Sequence, residues 1–597
     1  MKLLTAFILS ATFCSNLFAQ DYSKRLKGID KELNALLELC DAAGFAVAVV
    51  DQNEIVYAKG FGYRDYENKI PVDEHTMFAI GSCTKAFTAG LLGQLREEDK
   101  LSFNDKPSDH IQGFKFYNDE MNQYVNIKDM MCHRTGLPRH DWSWYFFPSN
   151  SRDSLIKRIE FHEPFTGVRK RWYYNNFMYL AQGVIAENIT GKSWETNIED
   201  RFFKPLGMTN SSTTLQGLEN SENASLGYSV DSEGKIRNEP YYRIAAMAPA
   251  GSINSSVSDM AKWLAMWING GKHNEQVILP MFYVNEATAP QMIMSPTGPS
   301  ADQPSVHFDA YGYGWMMSSY KGHYQVEHGG NIDGFSASTA YYPTDSVGII
   351  VLTNQSGSSV TRLARNILSD RLLELEQTDW TGQYAEQKQK VSEALSAKEE
   401  SSGNKKSVPS AHDYADFTGD YHHDGYGTFS IELRNDSLFA ILPNKTMWLR
   451  HDTYDIFEPF MIHPWGIDTT EADAFRMNFS TNNAGDISAV KMLMEEVLEP
   501  MEFKHLRSTI DLNENDLQKY IGTYELMGTE VKVYNKKGVL YVLVPGQPEY
   551  ELQASEPNIF LIKVAEGFSL QFNEENDKVT EVLFIQPNGT FKATKKE

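Results

Sequence analysis

A serine hydroxyl attacks a carbonyl only after something takes its proton, and a lysine amine can do so when burial keeps it neutral. Ser82-Cys83-Thr84-Lys85 supplies that pair of groups. Phe78-Ala79-Ile80-Gly81 before it reads as a turn, and Ala86, Phe87, Ala89, Leu91, Leu92 and Leu95 after it fall mostly on one helical stripe. The spacing predicts a buried helix that starts near Ser82, with hydroxyl and amine on one face less than a turn apart. The N-terminus of such a helix also favours developing negative charge. Ser154/Lys157, Ser318/Lys321, Ser402/Lys405 and Ser488/Lys491 share the spacing. Ser82 differs from them in opening a strongly apolar helix, where a lysine without a task would be costly.

Gly81-Ser82-Cys83-Thr84-Lys85 resembles the Ser-x-x-Lys element of serine β-lactamases and penicillin-binding proteins. Two further elements of that family follow in order. Tyr174-Asn175-Asn176 is similar to Tyr-x-Asn, and His328-Gly329-Gly330 to Lys/His-x-Gly. Tyr173-Tyr174-Asn175 also satisfies the second pattern, one residue out of register. Tyr179 and Gly183 match the family's later tyrosine and glycine only when Asn176 is the asparagine, which favours Tyr174; in the other register Tyr173 takes the role. His133-Arg134-Thr135-Gly136-Leu137-Pro138 resembles the His-x-Ser-Gly-Leu-Pro loop, departing at Thr135, and Tyr311-Gly312-Tyr313-Gly314-Trp315 resembles Tyr-Gly-x-Gly-Trp. The resemblance runs from about residue 30 to residue 375.

It implies an acyl-enzyme mechanism on Ser82, with Lys85 and Tyr174 sharing proton transfer and Asn176, His328 and Gly330 binding the substrate. By the same resemblance, the backbone N–H groups of Ser82 and Asn331 would form the oxyanion hole. Glycines in the third element let backbone run close to a peptide-like ligand. His328 could hold or orient a carboxylate; its plainer alternative is a hydrogen-bonded strand histidine. His-Gly-Gly resembles peptidases specific for D-amino acids, and some esterases, more than dedicated β-lactamases. The expectation is therefore a hydrolase of amide or ester bonds in small D-amino-acid-containing peptides. A carboxylesterase, a β-lactam hydrolase and a non-catalytic binder of cell-wall peptides are the alternatives. No cofactor is expected. His133, His140 and Asp141, or His422 and His423, invite a metal reading, but no His-x-x-x-His or Cys-x-x-Cys spacing accompanies them, so no metal is expected either.

The elements that must position these residues are legible around them. Phe45–Val50 and Ile55–Phe61, split by Asp51-Gln52-Asn53, predict an antiparallel hairpin. Helical patterns cover Met178–Ile189 and Ser258–Ile268, and strand patterns return at Tyr324–Glu327, Ser336–Tyr342 and Val347–Thr353. Thr361–Leu375 reads as a closing helix. The fold expected is α+β: a β-lactamase/transpeptidase-like domain, its antiparallel sheet flanked by helices, over residues 20–380. Residues 381–410 are assigned to a linker, on the Lys, Glu, Ser and Gly content of Ala397–Ser410. Beyond it Phe417-Thr418-Gly419-Asp420-Tyr421 matches Tyr520-Ile521-Gly522-Thr523-Tyr524, and Met477-Asn478-Phe479 corresponds to Leu570-Gln571-Phe572. This repeat predicts two all-β, lipocalin-like modules, 411–508 and 509–597, with one barrel made from both halves as the rival.

A chain of 597 residues exceeds what one core normally supports, in line with several domains. Acidic residues outnumber basic ones 79 to 55, and the formal charge of −24 disfavours nucleic acid as a partner. Met1-Lys2, the apolar run Leu3–Leu9 and the ending Leu17-Phe18-Ala19 predict a cleaved export signal over 1–19, hence the periplasm. No later stretch carries about 18 uncharged apolar residues, so no membrane span is expected after cleavage. Cys14 leaves with the signal, and Cys40, Cys83 and Cys132 are expected as small buried residues. A homo-oligomer through the β modules is a further expectation.

Overall fold

In a computed structural model of the chain, described over residues 22–596 apart from 296–304, 403–406, 468, 470–474, 507–509, 566–567, 577 and 587, two compact units are present, 1–405 and 406–597. The expected signal, 1–19, lies outside the described residues.

The first unit is built on an antiparallel nine-stranded sheet assembled from both ends of its sequence. From the N-terminal side come β1 (Gly44–Asp51), β2 (Glu54–Asp65) and β3 (Ile70–Pro71). From the C-terminal side come β4 (Met292–Ile293), β5 (Asp309–Tyr311), β6 (Met316–Tyr320), β7 (His323–Ile332), β8 (Phe335–Tyr342) and β9 (Val347–Thr353). The order is β4-β5-β6-β7-β8-β9-β1-β2-β3, with β1 and β9 joining the two contributions through Phe45 opposite Thr353. β1 shows why its sequence is apolar at nearly every position. Ala46, Ala48 and Val50 face one core and Phe45, Val47 and Val49 the other, so the two-residue period persists while both faces are covered. The second face is closed by α1 (Ile29–Leu39) and α5 (Val360–Leu372).

The larger core holds the helices that carry the candidate site: α2 (Thr84–Glu97), α3 (Asn176–Thr190) and α4 (Val257–Ile268). α3 begins where Asn175 accepts from the Met178 backbone N–H at 3.1 Å and ends at Gly191, whose φ of 68° suits a residue without Cβ. Cys40, Cys83 and Cys132 are buried free thiols.

α6 (Trp380–Ser402) occupies the first part of the stretch assigned to a linker. The composition that marked the stretch as a linker did not indicate its conformation, although Glu, Lys, Gln and Ala are strong helix formers, and Lys390 pairs with Glu386 one turn away at 2.6 Å. The second unit contains two eight-stranded antiparallel barrels, not one shared between halves. The first closes where Gly419–His423 meets Met501–Leu506 and Thr446–Thr453 meets Ile456–His463; the second runs from Gly522–Leu526 to Gly589–Lys595. The sequence repeat marks equivalent structure. Tyr421 donates to the Phe417 carbonyl at 2.8 Å and Tyr524 to the Tyr520 carbonyl at 2.7 Å. No helix of the described residues is long and apolar enough to cross a membrane.

Candidate active site

Ser82 sits in a single 3₁₀ turn, Gly81–Cys83, that leads into α2 and leaves its side chain half-buried. The turn demands glycine at its first position: Gly81 has φ of 50°, and a Cβ there would lie 2.8 Å from the Asn331 nitrogen. From the other side Gly330 answers it, since a Cβ on that residue would lie 2.0 Å from the Ile80 carbonyl oxygen. Pairing of β7 with β6 ends at Glu327, so the last residues of β7 run on past β6 and pack directly on the Ser82 turn. Gly330→Ala must push the strand off that turn. The expected result is a kcat/KM lower by about 10²-fold, since displacements near 1 Å at a reacting centre cost that much, together with a lower Tm.

Lys85, in the first turn of α2, is fully buried. Its Nζ lies 3.0 Å from Ser82 Oγ, 2.7 Å from Asn176 Oδ1 and 2.7 Å from the Ala250 carbonyl oxygen. Burial holds its pKa well below the ordinary lysine value, against the opposing pull of Asp141. A neutral amine has two N–H groups and one lone pair. Two of the three neighbours, Asn176 Oδ1 and the Ala250 carbonyl, can only accept, so the lone pair is left to face the Ser82 hydroxyl.

That arrangement depends on the Asn176 amide pointing one way. Asp141 Oδ1 accepts from Asn176 Nδ2 at 2.8 Å and from Trp144 Nε1 at 2.8 Å, while Oδ2 accepts from Arg139 Nε at 2.6 Å. An ionised carboxylate cannot donate, so it fixes the amide with its oxygen toward Lys85. Asp141→Asn removes this constraint, and the expected loss in kcat is about 10-fold to 10²-fold with KM little changed, measured with a neutral ester.

Tyr174 is buried, and its ring centre is 4.8 Å from Lys85 Nζ. Burial pushes its phenol above the ordinary value; the adjacent Ser82 hydroxyl acts the other way, although no hydrogen bond of good geometry joins the two. Tyr173 points elsewhere, its ring packing on Phe165 at 4.9 Å. Asn175 is likewise taken up in capping α3 and in donating to the Pro138 carbonyl at 2.6 Å. Of the two registers, Tyr174 and Asn176 are the residues brought to Ser82 and Lys85.

His328 is 1% exposed. Its Nδ1 donates to the Gly329 carbonyl at 2.6 Å and its Nε2 accepts from the Tyr311 hydroxyl at 2.9 Å. Burial, reinforced by the neighbouring Lys85, lowers its pKa to about 3, so the ring is neutral and both nitrogens are occupied. The plainer alternative, a hydrogen-bonded strand histidine, describes this geometry. Asn331 is exposed, and its Oδ1 accepts from Ser336 Oγ at 2.7 Å. His133 packs on Tyr174 with ring centres 4.3 Å apart, and its Nδ1 accepts the Asn175 backbone N–H at 3.1 Å. No group of three or more His, Cys, Asp or Glu residues able to hold a metal occurs among the described residues.

Asp141 and the Ala250 carbonyl were not assigned to the site from the sequence. Asp141 follows the loop His133–Pro138 closely enough to have been a candidate, but a carboxylate on a loop gives no sign of which amide it will meet. A backbone carbonyl gives no sequence signal at all. Gly183 is the indirect trace: a Cβ there would lie 2.3 Å from Pro249 Cγ, so the glycine admits the segment that carries Ala250.

A serine at the head of a buried helix, a fully buried lysine behind it and a two-ended sheet define a serine hydrolase with the β-lactamase/transpeptidase-like fold. The chain belongs to the Beta-lactamase family, whose sequence pattern matches residues 29–373; a domain of unknown function matches residues 404–505. An unguisins hydrolase from Aspergillus violaceofuscus is 26% identical over 445 residues, 68% of this chain and 76% of that protein. The flp protein of Staphylococcus aureus is 24% identical over 341 residues, and this chain spans 65% of its length and 57% of its own. Among solved structures, the octameric penicillin-binding protein homologue from Pyrococcus abyssi shares the fold, with a TM-score of 0.54 and 20% identity over 81% of this chain and 99% of that one.

Proposed function

We propose that this chain is an exported hydrolase that cleaves amide or ester bonds through an acyl-enzyme on Ser82, acting on peptides that contain D-amino acids. The observation that carries the reading is the amine of a fully buried Lys85, its pKa held well below the ordinary lysine value, 3.0 Å from Ser82 Oγ. Lys85 takes the Ser82 proton as the hydroxyl attacks the carbonyl. The backbone N–H groups of Ser82 and Asn331 receive the developing oxyanion. Tyr174, whose raised pKa keeps the phenol protonated and whose ring lies beside Lys85, passes a proton to the leaving group. Water then releases the acyl group by the same steps in reverse. His328 acts through Tyr311 and the course of β7, not as a charged partner of the substrate. The relative described as an unguisins hydrolase supports hydrolysis as the reaction class.

The D-peptide preference rests on the His-Gly-Gly element, and the periplasmic location on the N-terminal export pattern. The octameric homologue supports a homo-oligomer. Turnover of p-nitrophenyl butyrate and of D-alanine p-nitroanilide by the purified chain tests the reading. Cleavage of both, with the D-anilide preferred to its L-isomer, is expected. Cleavage of the ester alone would make it an esterase, and cleavage of neither would leave a non-catalytic binder.

A further inference from the structure

Tyr174 is flanked on both sides by bonds to a single residue of an earlier loop. The His133 carbonyl accepts from the Tyr173 backbone N–H at 2.9 Å, and His133 Nδ1 accepts from the Asn175 backbone N–H at 3.1 Å. Its ring packs on Tyr174 with centres 4.3 Å apart. His133 does this from a φ of 55°, in the left-handed region, a backbone state that costs free energy in a residue with a Cβ and persists where the surroundings over-determine it. The two segments are joined again further along, where Arg169 N–H donates to the Arg134 carbonyl at 2.8 Å and Phe165 N–H to the Gly136 carbonyl at 3.0 Å.

The bond to Asn175 fixes the state of the ring. A backbone N–H can only donate, so Nδ1 carries no proton and the ring hydrogen sits on Nε2. Burial, reinforced by Lys85, holds the pKa well below the ordinary histidine value, in accord with that neutral form. Nε2 is buried with no hydrogen-bond partner among the described residues, so the ring brings one polar contact, through Nδ1, and an unpaired N–H that by itself destabilises. A phenyl group would pack among Tyr174, Tyr179 and Tyr311 without that cost. What histidine adds over phenylalanine at this place is the acceptor for Asn175.

Resting on the hydrolase reading above, we infer that His133 is a positioning residue for the proton donor: by holding Tyr173 and Asn175 it sets the place of the Tyr174 hydroxyl beside Ser82, and so governs departure of the leaving group. It touches neither substrate nor nucleophile in this role. Its effect is confined to substrates whose leaving group needs a proton.

The test compares ethyl butyrate, whose alkoxide must be protonated to leave, with p-nitrophenyl butyrate, whose phenolate leaves unprotonated. Both give the same butyryl-enzyme, so the ratio of their kcat/KM values isolates acylation. His133→Phe is expected to lower kcat/KM for ethyl butyrate by about 10²-fold and for p-nitrophenyl butyrate by less than about tenfold. His133→Asn, whose Oδ1 can stand in for Nδ1, should keep both within about threefold of wild type. In a Tyr174→Phe background, adding His133→Phe should cost ethyl butyrate no more than about threefold further, because the two residues act through one hydroxyl. The Tm of each variant reports its folding; if His133→Phe does not fold, His133→Gln, whose oxygen stands one bond further out, replaces it with the same ordering expected. No loss in the variant, an equal loss on both esters, a His133→Asn enzyme as impaired as the others, or the full loss persisting in the Tyr174→Phe background overturns the inference and leaves the hydrolase reading intact. If Tyr174→Phe itself leaves ethyl butyrate turnover untouched, or the wild type cleaves neither ester, the hydrolase reading is struck at that step and the inference falls with it.

Discussion

Replacing Lys85 by methionine is expected to lower kcat/KM for ester and amide substrates by about 10³-fold to 10⁴-fold, the range general-base groups supply. Methionine keeps the length and apolar stem of the side chain but has no lone pair basic enough to take the serine proton. The pH profile separates this loss from mere disruption. Burial lowers the Lys85 pKa, so the amine is neutral at pH values where an ordinary lysine is charged. Activity that needs the neutral amine is present above that lowered pKa and is lost as pH falls through it. The wild-type enzyme should show this acid limb in kcat/KM, and the residual activity of Lys85→Met should lack it. A limb that persists in the variant would place the base elsewhere, with His133 the first residue to inspect.

Ser82→Ala is expected to cost about 10⁴-fold or more in kcat, because removing the nucleophile ends the covalent route and leaves only the oxyanion donors and binding. Thermal stability should change little. Ser82 is half-buried at the surface of its turn, and its hydroxyl is not part of the packed interior. Substrate affinity, measured by the Kd of an unreactive substrate analogue, should also persist, since the position of Asn331 does not depend on the hydroxyl. Rates within tenfold of wild type would mean that Ser82 is not the nucleophile.

The sheet and the helices around it were readable because their signals are local. β1 and β9 are apolar runs of strand length, and the α2 stripe begins at the serine. The two barrels were readable because a repeated Gly-x-Tyr builds the same tyrosine-to-carbonyl bond twice. The helix Trp380–Ser402 was not, since lysine, glutamate and serine report polarity before they report conformation. Within the site, Ser82 and Lys85 stood out by the apolar helix they open, and Tyr174 and Asn176 by resemblance to the family's ordered elements, since the Ser/Lys spacing alone recurs in four other pairs. What the spacing could not convey is electrostatic. His328 reads as a titrating group in the sequence, yet burial beside Lys85 makes it neutral and engages both its nitrogens. Asp141 is invisible for the opposite reason, since its task exists only once the fold has brought it to the Asn176 amide across 35 residues of sequence.

The central claim is that a covalent acyl group forms on Ser82 with Lys85 as the base. Mixing the purified chain with p-nitrophenyl butyrate, quenching with acid at short times and measuring intact and peptide masses tests it directly. The account predicts a transient mass increase of one butyryl group on the peptide containing Ser82, absent from Ser82→Ala and formed far more slowly in Lys85→Met. An adduct on a different residue, or turnover with no adduct and an unaffected Ser82→Ala, would contradict it.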